Sequence, residues 1–312
     1  MQLVDVAHTL SKASYPDLDA LRGLYGWSDR NHRIFSRMFA LESTALHPQT
    51  ALPKLLIHSA SELVKANPEL LGNVDYVFYC HAINSPLMLD DEVLGTLVRT
   101  VFDCDPEVMS VAHGSCTSAI MVMRMLQNFP ADKPLNAVIL TGEKCFFDML
   151  QYADNQGLYG EASAAAFLKV GAETGTQIIA TETGHFEGMF APMVDVSPEV
   201  VQAFDQAFLP RMSGLVTRLL QNAEMSAEQI DVIFPTHLSP FTSNRVANLV
   251  GMEKAEVWKN NLPKIGHCYC GDLFLNYKNW LATRDADAGP AKILSFASGM
   301  TGSYAGIVLE KG

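Results

Sequence analysis

The sequence predicts an α/β fold built from two similar halves, and three observations lead there. Strings rich in β-branched and aromatic residues alternate with helix-like strings along the chain. Three strings of the first half return in the same order in the second. VDYVFYCHAI (74–83) returns as IDVIFPTHLS (230–239), AVILTGE (137–143) as AKILSFA (291–297), and AAAFLKVG (164–171) as YAGIVLEKG (304–312). The first pair aligns Asp75 with Asp231, Val77 with Ile233, Phe78 with Phe234 and His81 with His237, an offset of 156; Ala137 and Ala291 stand 154 apart, again near half of the 312 residues. That spacing excludes a short-period solenoid. The simplest architecture is a duplicated unit: two pseudo-symmetric mixed β/α halves, 1–171 and 172–312, packed as layered sheets and helices.

The elements follow in order. PKLLIHSASELVKA (53–66) carries apolar residues at helical spacing, VDYVFYCHAI reads as a strand, and LDDEVLGTLVRTV (89–101) as a helix. VMSVAHGSC (108–116) is a short strand running into the helix that continues to Leu126, and AVILTGE and ASAAAFLKVG (162–171) are buried strands. The second half opens on a helix over 212–223 before IDVIFPTHLS. Next, GHCYCGDLFLNYKNWL (266–281) mimics the polar start and apolar continuation of VAHGSCTSAIMVMRML (111–126), and two strands close the chain.

Composition narrows the function. Hydrophobic content of 48% and charged content of 18% are ordinary for a globular enzyme. A net charge of −12 with no basic tract argues against nucleic-acid binding. No apolar run reaches transmembrane length, and MQLVDVAHTLSK lacks the basic start of a signal peptide, so a cytoplasmic protein with no membrane partner is expected. Six cysteines in so long a chain make no disulfide framework. In a reducing compartment such a thiol is free to react.

Cys116 stands at the entrance of an apolar helix, where a free cysteine is ordinarily a small core residue. The duplication sets the His267 region at the matching entrance of the second half, so two helix N-termini meet at the centre. His237, just past a matching strand, reaches the same place. A thiol and two imidazoles result. His113 is close enough in sequence to line the site, whereas His81, Cys80, Cys104 and Cys145 read as packing residues, and Met121, Met123 and Met125 as core. The string His267-Cys268-Tyr269-Cys270 invites a metal, but no second cysteine pair lies nearby, so no metal is expected.

These motifs resemble the thiolase-fold condensing enzymes, nearest the β-ketoacyl-acyl-carrier-protein synthase III group, over nearly the whole chain. SVAHGSCTSAI matches the nucleophile segment, LYGEASAAAFL (158–168) a Gly-Asp-Gly-Ala-Gly-Ala strand with Glu161 in the acidic position, VIFPTHLSP the Val-Pro-His-Gln segment, and SFASGMTGSYAGIVLE (295–310) the glycine-rich turn. The resemblance implies that Cys116 accepts the acyl group, that His237 is catalytic, and that backbone N–H groups of Cys116 and Met300 form an oxyanion hole. It implies thioesters of acyl carrier protein or coenzyme A as substrates, with no further cofactor. It also implies a homodimer, or a heterodimer with a related chain, paired through the VMSVAHGSC strand. Arg33, Arg37 and Arg245 are the candidates for a carrier-protein patch.

The chain departs from that pattern at several positions. The synthase III asparagine that follows a glycine is here His267, so the set Cys116, His237, His267 resembles the elongating condensing enzymes. Asp272, five residues on, stands where it can serve as an added acidic partner like that of some acyltransferase relatives. The coenzyme-A-stacking tryptophan has no counterpart, with Arg33 nearest, and SPLML (85–89) replaces the phenylalanine that reaches the neighbouring subunit. The leading expectation is a thioester-dependent acyltransferase of the synthase III type, EC class 2.3.1, in a specialised biosynthetic pathway. Decarboxylative condensation with a malonyl-type thioester is favoured. The alternative is a non-decarboxylating O- or N-acyltransferase, for which an imidazole at 267 opens general-base chemistry closed to asparagine. A non-catalytic heterodimer subunit is a third reading, against which the intact Cys116, His237 and His267 speak.

Overall fold

Successive side chains of a strand face opposite ways, and that alternation sorts this core into layers. The structure, a computed structural model, describes residues 1–83, 91–130, 132–144, 152–153, 157–171, 175–187, 197–237, 240–285 and 287–312. Its strands are β1 (Gln2–His8), β2 (Tyr76–Cys80), β3 (Glu107–Val111), β4 (Leu135–Thr141), β5 (Tyr152–Ala153), β6 (Gly157–Leu158), β7 (Ala164–Val170), β8 (Thr176–His185), β9 (Val232–Phe234), β10 (Glu256–Val257), β11 (Ala291–Ser298) and β12 (Ser303–Lys311). Its helices are α1 (Leu18–Tyr25), α2 (Asp29–Arg33), α3 (Leu52–Ala66), α4 (Asp91–Phe102), α5 (Ser118–Gln127), α6 (Pro198–Asn222), α7 (Pro240–Val250), α8 (Leu262–Ile265) and α9 (Asp272–Thr283).

The main sheet runs β10-β9-β11-β12-β8-β1-β7-β4-β2-β3. Outward from the β8–β1 junction both wings follow one plan: two antiparallel steps, through β12 to β11 on one side and β7 to β4 on the other, then two parallel steps to the edge. The repeated strings therefore occupy equivalent strands. Among the described residues β1 and β8 meet through two pairs, Gln2 with Gln177 and Leu3 with Thr176.

Between the wings lie α5 and α9. Phe78 and Ile139 of one wing and Phe234 and Ile293 of the other point inward onto Ile120, Met123, Phe274 and Leu275. The alternate residues face outward. Val77 and Val138 pack beneath α3 and α4 on Leu56, Leu63 and Leu97, while Ile233 and Leu294 pack beneath α6 and α7 on Leu215, Leu219 and Val246. A helix enclosed between two wings of a sheet must bury most of its surface, which is why α5 follows its polar start with a long apolar run and α9 buries Leu273, Phe274, Leu275, Tyr277 and Trp280. Met123 is fully buried, whereas Met125 at the far end of α5 is 41% exposed.

The helix expected over 212–223 extends back to Pro198. Pro210 interrupts the pattern, because a proline inside a helix removes one hydrogen bond. Val200, Val201, Phe204 and Phe208 nonetheless keep helical spacing, and Phe204 packs edge-on against Phe186 at 5.4 Å. The strand expected over 230–239 is shorter, ending before Pro235, which has no N–H to donate.

Candidate active site

Past β3 the chain enters a 3-10 turn, Ser115–Thr117, that feeds α5. Ser115 adopts φ +49°, a left-handed conformation that costs a residue with a Cβ about 1–2 kcal/mol. Its neighbours hold it there. Ser115 N–H donates to Ala112 O at 2.8 Å, and Ser115 O accepts from Ser118 Oγ at 2.8 Å and from the Cys270 thiol at 3.1 Å. Gly299, between β11 and β12, presses on the same turn: a Cβ there would lie 2.5 Å from Gly114 O and 2.8 Å from Ser115 Cβ. Only glycine allows that approach. Cys116 thus comes to rest at the N-terminus of α5, 7% exposed and near the positive end of the helix dipole.

The second wing delivers His267. Gly266 turns the chain with φ +69°, and a Cβ there would stand 2.5 Å from Thr44 Oγ1. His267 N–H then donates to Leu158 O at 2.7 Å, while its carbonyl accepts from Gly160 N–H at 2.9 Å. So pinned, its Nε2 lies 3.2 Å from Cys116 Sγ and its Nδ1 2.6 Å from Asp272 Oδ2. Asp272, the first residue of α9, also accepts the N–H groups of Cys268 at 2.8 Å and His237 at 2.7 Å. Burial raises the Asp272 pKa, but His237 and His267 outweigh it and hold the carboxyl below its ordinary value. Burial likewise lowers that of His267, yet the charges of Asp272 and Cys116 prevail and lift the imidazole to about 10. Asp272 accepts a hydrogen bond from Nδ1–H, which leaves Nε2 to the sulfur. Cys116, His267 and Asp272 form one chain.

His237 stands behind that chain. It is fully buried, its Nδ1 faces Gly266 O at 3.0 Å and Asp272 Oδ1 at 3.3 Å, and its Nε2 faces Asn276 Oδ1 at 2.8 Å. Asn276 is itself held, donating to Pro235 O at 3.0 Å and accepting from Asn261 at 3.1 Å. Both ring nitrogens of His237 are spent on supports of the site rather than on the thiol.

Apolar walls enclose the sulfur. Tyr159 and Tyr269 stack at 5.0 Å, and their rings lie 5.5 and 5.6 Å from that of His267. Ala82 and Ile83 complete this cluster around Cys116. A cavity lined by Ile120, Pro235, Thr236, Asp272 and Ala297 reaches Cys116. Burial pushes the thiols of Cys80 and Cys270 up.

Of the other residues singled out in the sequence, Met300 sits in the β11–β12 turn beside Gly299, whose own N–H is spent on Ser303 O at 2.8 Å. His113 is exposed on the connector after β3. Glu161 is buried in an ion pair with Lys144 at 2.6 Å and accepts His47 N–H at 2.8 Å. Arg33 at the end of α2 and Arg37 in the following π-helical turn are exposed, as is Arg245 on α7. Cys145 and SPLML (85–89) lie outside the described residues. Among the described residues no three His, Cys, Asp or Glu side chains are grouped as metal ligands, and no helix is long and apolar enough to cross a membrane. Sequence reasoning missed Tyr159, Tyr269 and Glu143. The signal for the tyrosines was their place inside the two motifs around Glu161 and His267; Glu143 had only its position past the end of a strand.

No family model and no curated protein matches the chain. Solved structures do. ChlB3, described as an acyltransferase, superposes with a TM-score of 0.80 at 14% identity, covering 99% of this chain and 96% of its own. AbyA1, a tetronic acid condensing enzyme, gives 0.76 at 17% identity, with 99% of both chains covered. The 3-oxoacyl-[acyl-carrier-protein] synthase III of Aquifex aeolicus gives 0.76 at 16%, again over 99% of both. At such identities the likeness establishes the fold, which is the thiolase-type α/β fold of the synthase III-like condensing enzymes.

Proposed function

We propose that the protein is an acyltransferase that loads an acyl group from a thioester onto Cys116 and passes it, without decarboxylation, to an alcohol or amine. The Cys116–His267–Asp272 chain carries this reading. The Cys116 thiolate attacks the thioester carbonyl, and the tetrahedral oxyanion rests on the N–H groups of Cys116 and Met300, worth about 3 kcal/mol per donor. As it collapses, the carbon–sulfur bond of the donor breaks and its thiolate takes the proton from His267 Nε2. The acyl-enzyme now faces a neutral imidazole. His267 removes the proton of the incoming hydroxyl or amine, whose oxygen or nitrogen attacks the acyl carbon, and Cys116 departs as thiolate beside a reprotonated ring.

Condensation, the reaction the sequence favours, asks more of His237. Two imidazoles would have to donate to the acceptor's carbonyl while carbon dioxide leaves, yet both His237 nitrogens are engaged by Gly266, Asp272 and Asn276. That observation moves the balance toward the alternative. The test is single-turnover release of the acyl group from Cys116. Release to alcohols or amines with no carbon dioxide is expected. Carbon dioxide formed in step with turnover of a malonyl thioester would restore condensation.

The donor is a thioester of acyl carrier protein or coenzyme A. For a carrier protein, Arg33, Arg37 and Arg245 offer exposed positive charge on a chain whose net charge is −12. A specialised biosynthetic pathway fits the departures from the synthase III motifs, and the two halves, 1–171 and 172–312, each contribute one helix N-terminus to the site. The functional unit is a dimer. β3 ends the main sheet, pairs only with β2 among the described residues, contains neither proline nor lysine, and leaves Met109 38% exposed. Soluble proteins seldom leave such an edge open. Sedimentation at micromolar concentration is expected to give a dimer, and Met109→Lys to shift it toward monomer; a stable wild-type monomer would refute the pairing.

A further inference from the structure

One buried carboxyl near the site has no part in the chemistry above. Glu143 follows β4 and is only 2% exposed. Its carboxyl reaches across to the turn after β2: Oε1 accepts the N–H of Ala82, and both oxygens lie 3.2 Å from the N–H of Ile83. These are the two residues that pack, with Tyr159 and Tyr269, against Cys116. Other ties hold the turn, among them His81 Nε2 to Ser110 Oγ at 2.8 Å. His81 Nδ1 meets Ile83 O at 2.9 Å, and Tyr79, stacked on His81, donates to Gly142 O at 2.9 Å. The carboxyl accepts from two adjacent backbone amides, and those amides belong to the wall facing the nucleophile.

We propose that Glu143 is a positioning residue that sets the bulk of the group Cys116 accepts, by clamping the 82–83 wall against the sulfur. A carboxylate accepts from both amides at once. Once protonated, one of its oxygens becomes a donor and the two-point clamp is weakened. Burial, only partly offset by the amides of Ala82 and Ile83 and by His267, pushes Glu143 up to about 7, so the clamp loosens as pH falls through neutrality. Tyr79 on β2, Cys270 in the turn before α9, and His267 are the titratable groups set against it. Burial raises the first two away from this range, and His267 titrates near 10. His81, the titratable group on the turn itself, is held low by burial and stays neutral near pH 7.

The proposal rests on Cys116 as the acylated thiol, but its test needs no acyl transfer. Cys116 is alkylated with iodoacetamide and with an N-decyl iodoacetamide, and the modified peptide is quantified by mass from mildly acidic to mildly alkaline pH. Sulfur and imidazole chemistry is common to both reagents, so the ratio of their rates reports the wall. In the wild type the long-to-short ratio should rise severalfold as pH falls through about 7. Glu143→Gln, which cannot ionise, should show a high ratio without that inflection. Ile83→Ala should raise the ratio at every pH and keep the inflection, so the wild type and this variant decide the matter even if the glutamine variant does not fold. A flat wild-type ratio, an unchanged ratio in Ile83→Ala, or an inflection that survives in Glu143→Gln overturns the clamp. Thioesters that leave Cys116 unmodified while the ratio behaves as described would instead overturn the acyltransferase reading.

Discussion

Cys116→Ala is expected to abolish acyl uptake and transfer, a loss of roughly four orders of magnitude or more, as when a catalytic nucleophile is removed elsewhere. Among the described residues no neighbouring thiol is placed to replace it. Cys80 and Cys270 are pushed up by burial, and Cys270 is committed to Ser115 O. The fold should survive. The change removes one small buried atom and leaves intact the contacts that hold Ser115 left-handed, so the stability cost should stay near 1 kcal/mol. Intact mass after incubation with an acyl thioester is the measurement. Wild type gains one acyl group and the alanine variant gains none; label that persists, or that maps to Cys268 or Cys270, sinks the assignment.

Much of this centre was legible in the sequence because a duplication writes the same information twice. Two copies of a strand string set β2 against β9, and two polar-to-apolar transitions set the entrances of α5 and α9 together. The symmetry even extends to backbone detail: Ser115 and Tyr269, both left-handed at φ +49° and +53°, stand 154 residues apart, and each precedes a cysteine. The counterpart of Cys116 is therefore Cys270, three residues past the histidine that partners it. The orientation of side chains was not legible. His237 sits just past the end of its strand, as expected, but its ring is turned by a carbonyl, a carboxylate and an amide from residues 266, 272 and 276. Its counterpart His81 is likewise saturated, by Ile83 O and Ser110 Oγ. Periodicity reports which residues are inside; it does not report which way a buried polar ring faces, because that is decided by contacts distant in the chain. Glu143 is hidden for the same reason, since its partners lie 60 and 61 residues away.

The second large effect is expected at His267, and its contrast with His237 separates the two reactions. Asparagine at 267 can donate a hydrogen bond to an enolate but cannot take a proton. If the acceptor is activated by His267, His267→Asn should slow transfer by about two orders of magnitude or more, the usual cost of losing a general base. It should slow acylation as well, because the ring that lies 3.2 Å from Sγ, and is lifted to about 10, is the charge partner of the thiolate. In the wild type that partnership fails as pH rises through about 10, so acylation should decline on the alkaline side, and His267→Asn should lack that limb. His237→Asn should behave differently. Asparagine there keeps a donor for Gly266 O or Asn276, and Asp272 retains the N–H groups of residues 237 and 268 and the ring of His267. A fall of less than about tenfold is expected, with the pH limb preserved. A decarboxylating condensing enzyme would reverse the order, tolerating asparagine at 267 and failing with asparagine at 237. Stopped-turnover measurement of acyl-Cys116 formation and decay in the two variants gives the ranking directly, and the reversed order would return His237 to the reacting atoms and leave Asp272 as scaffolding.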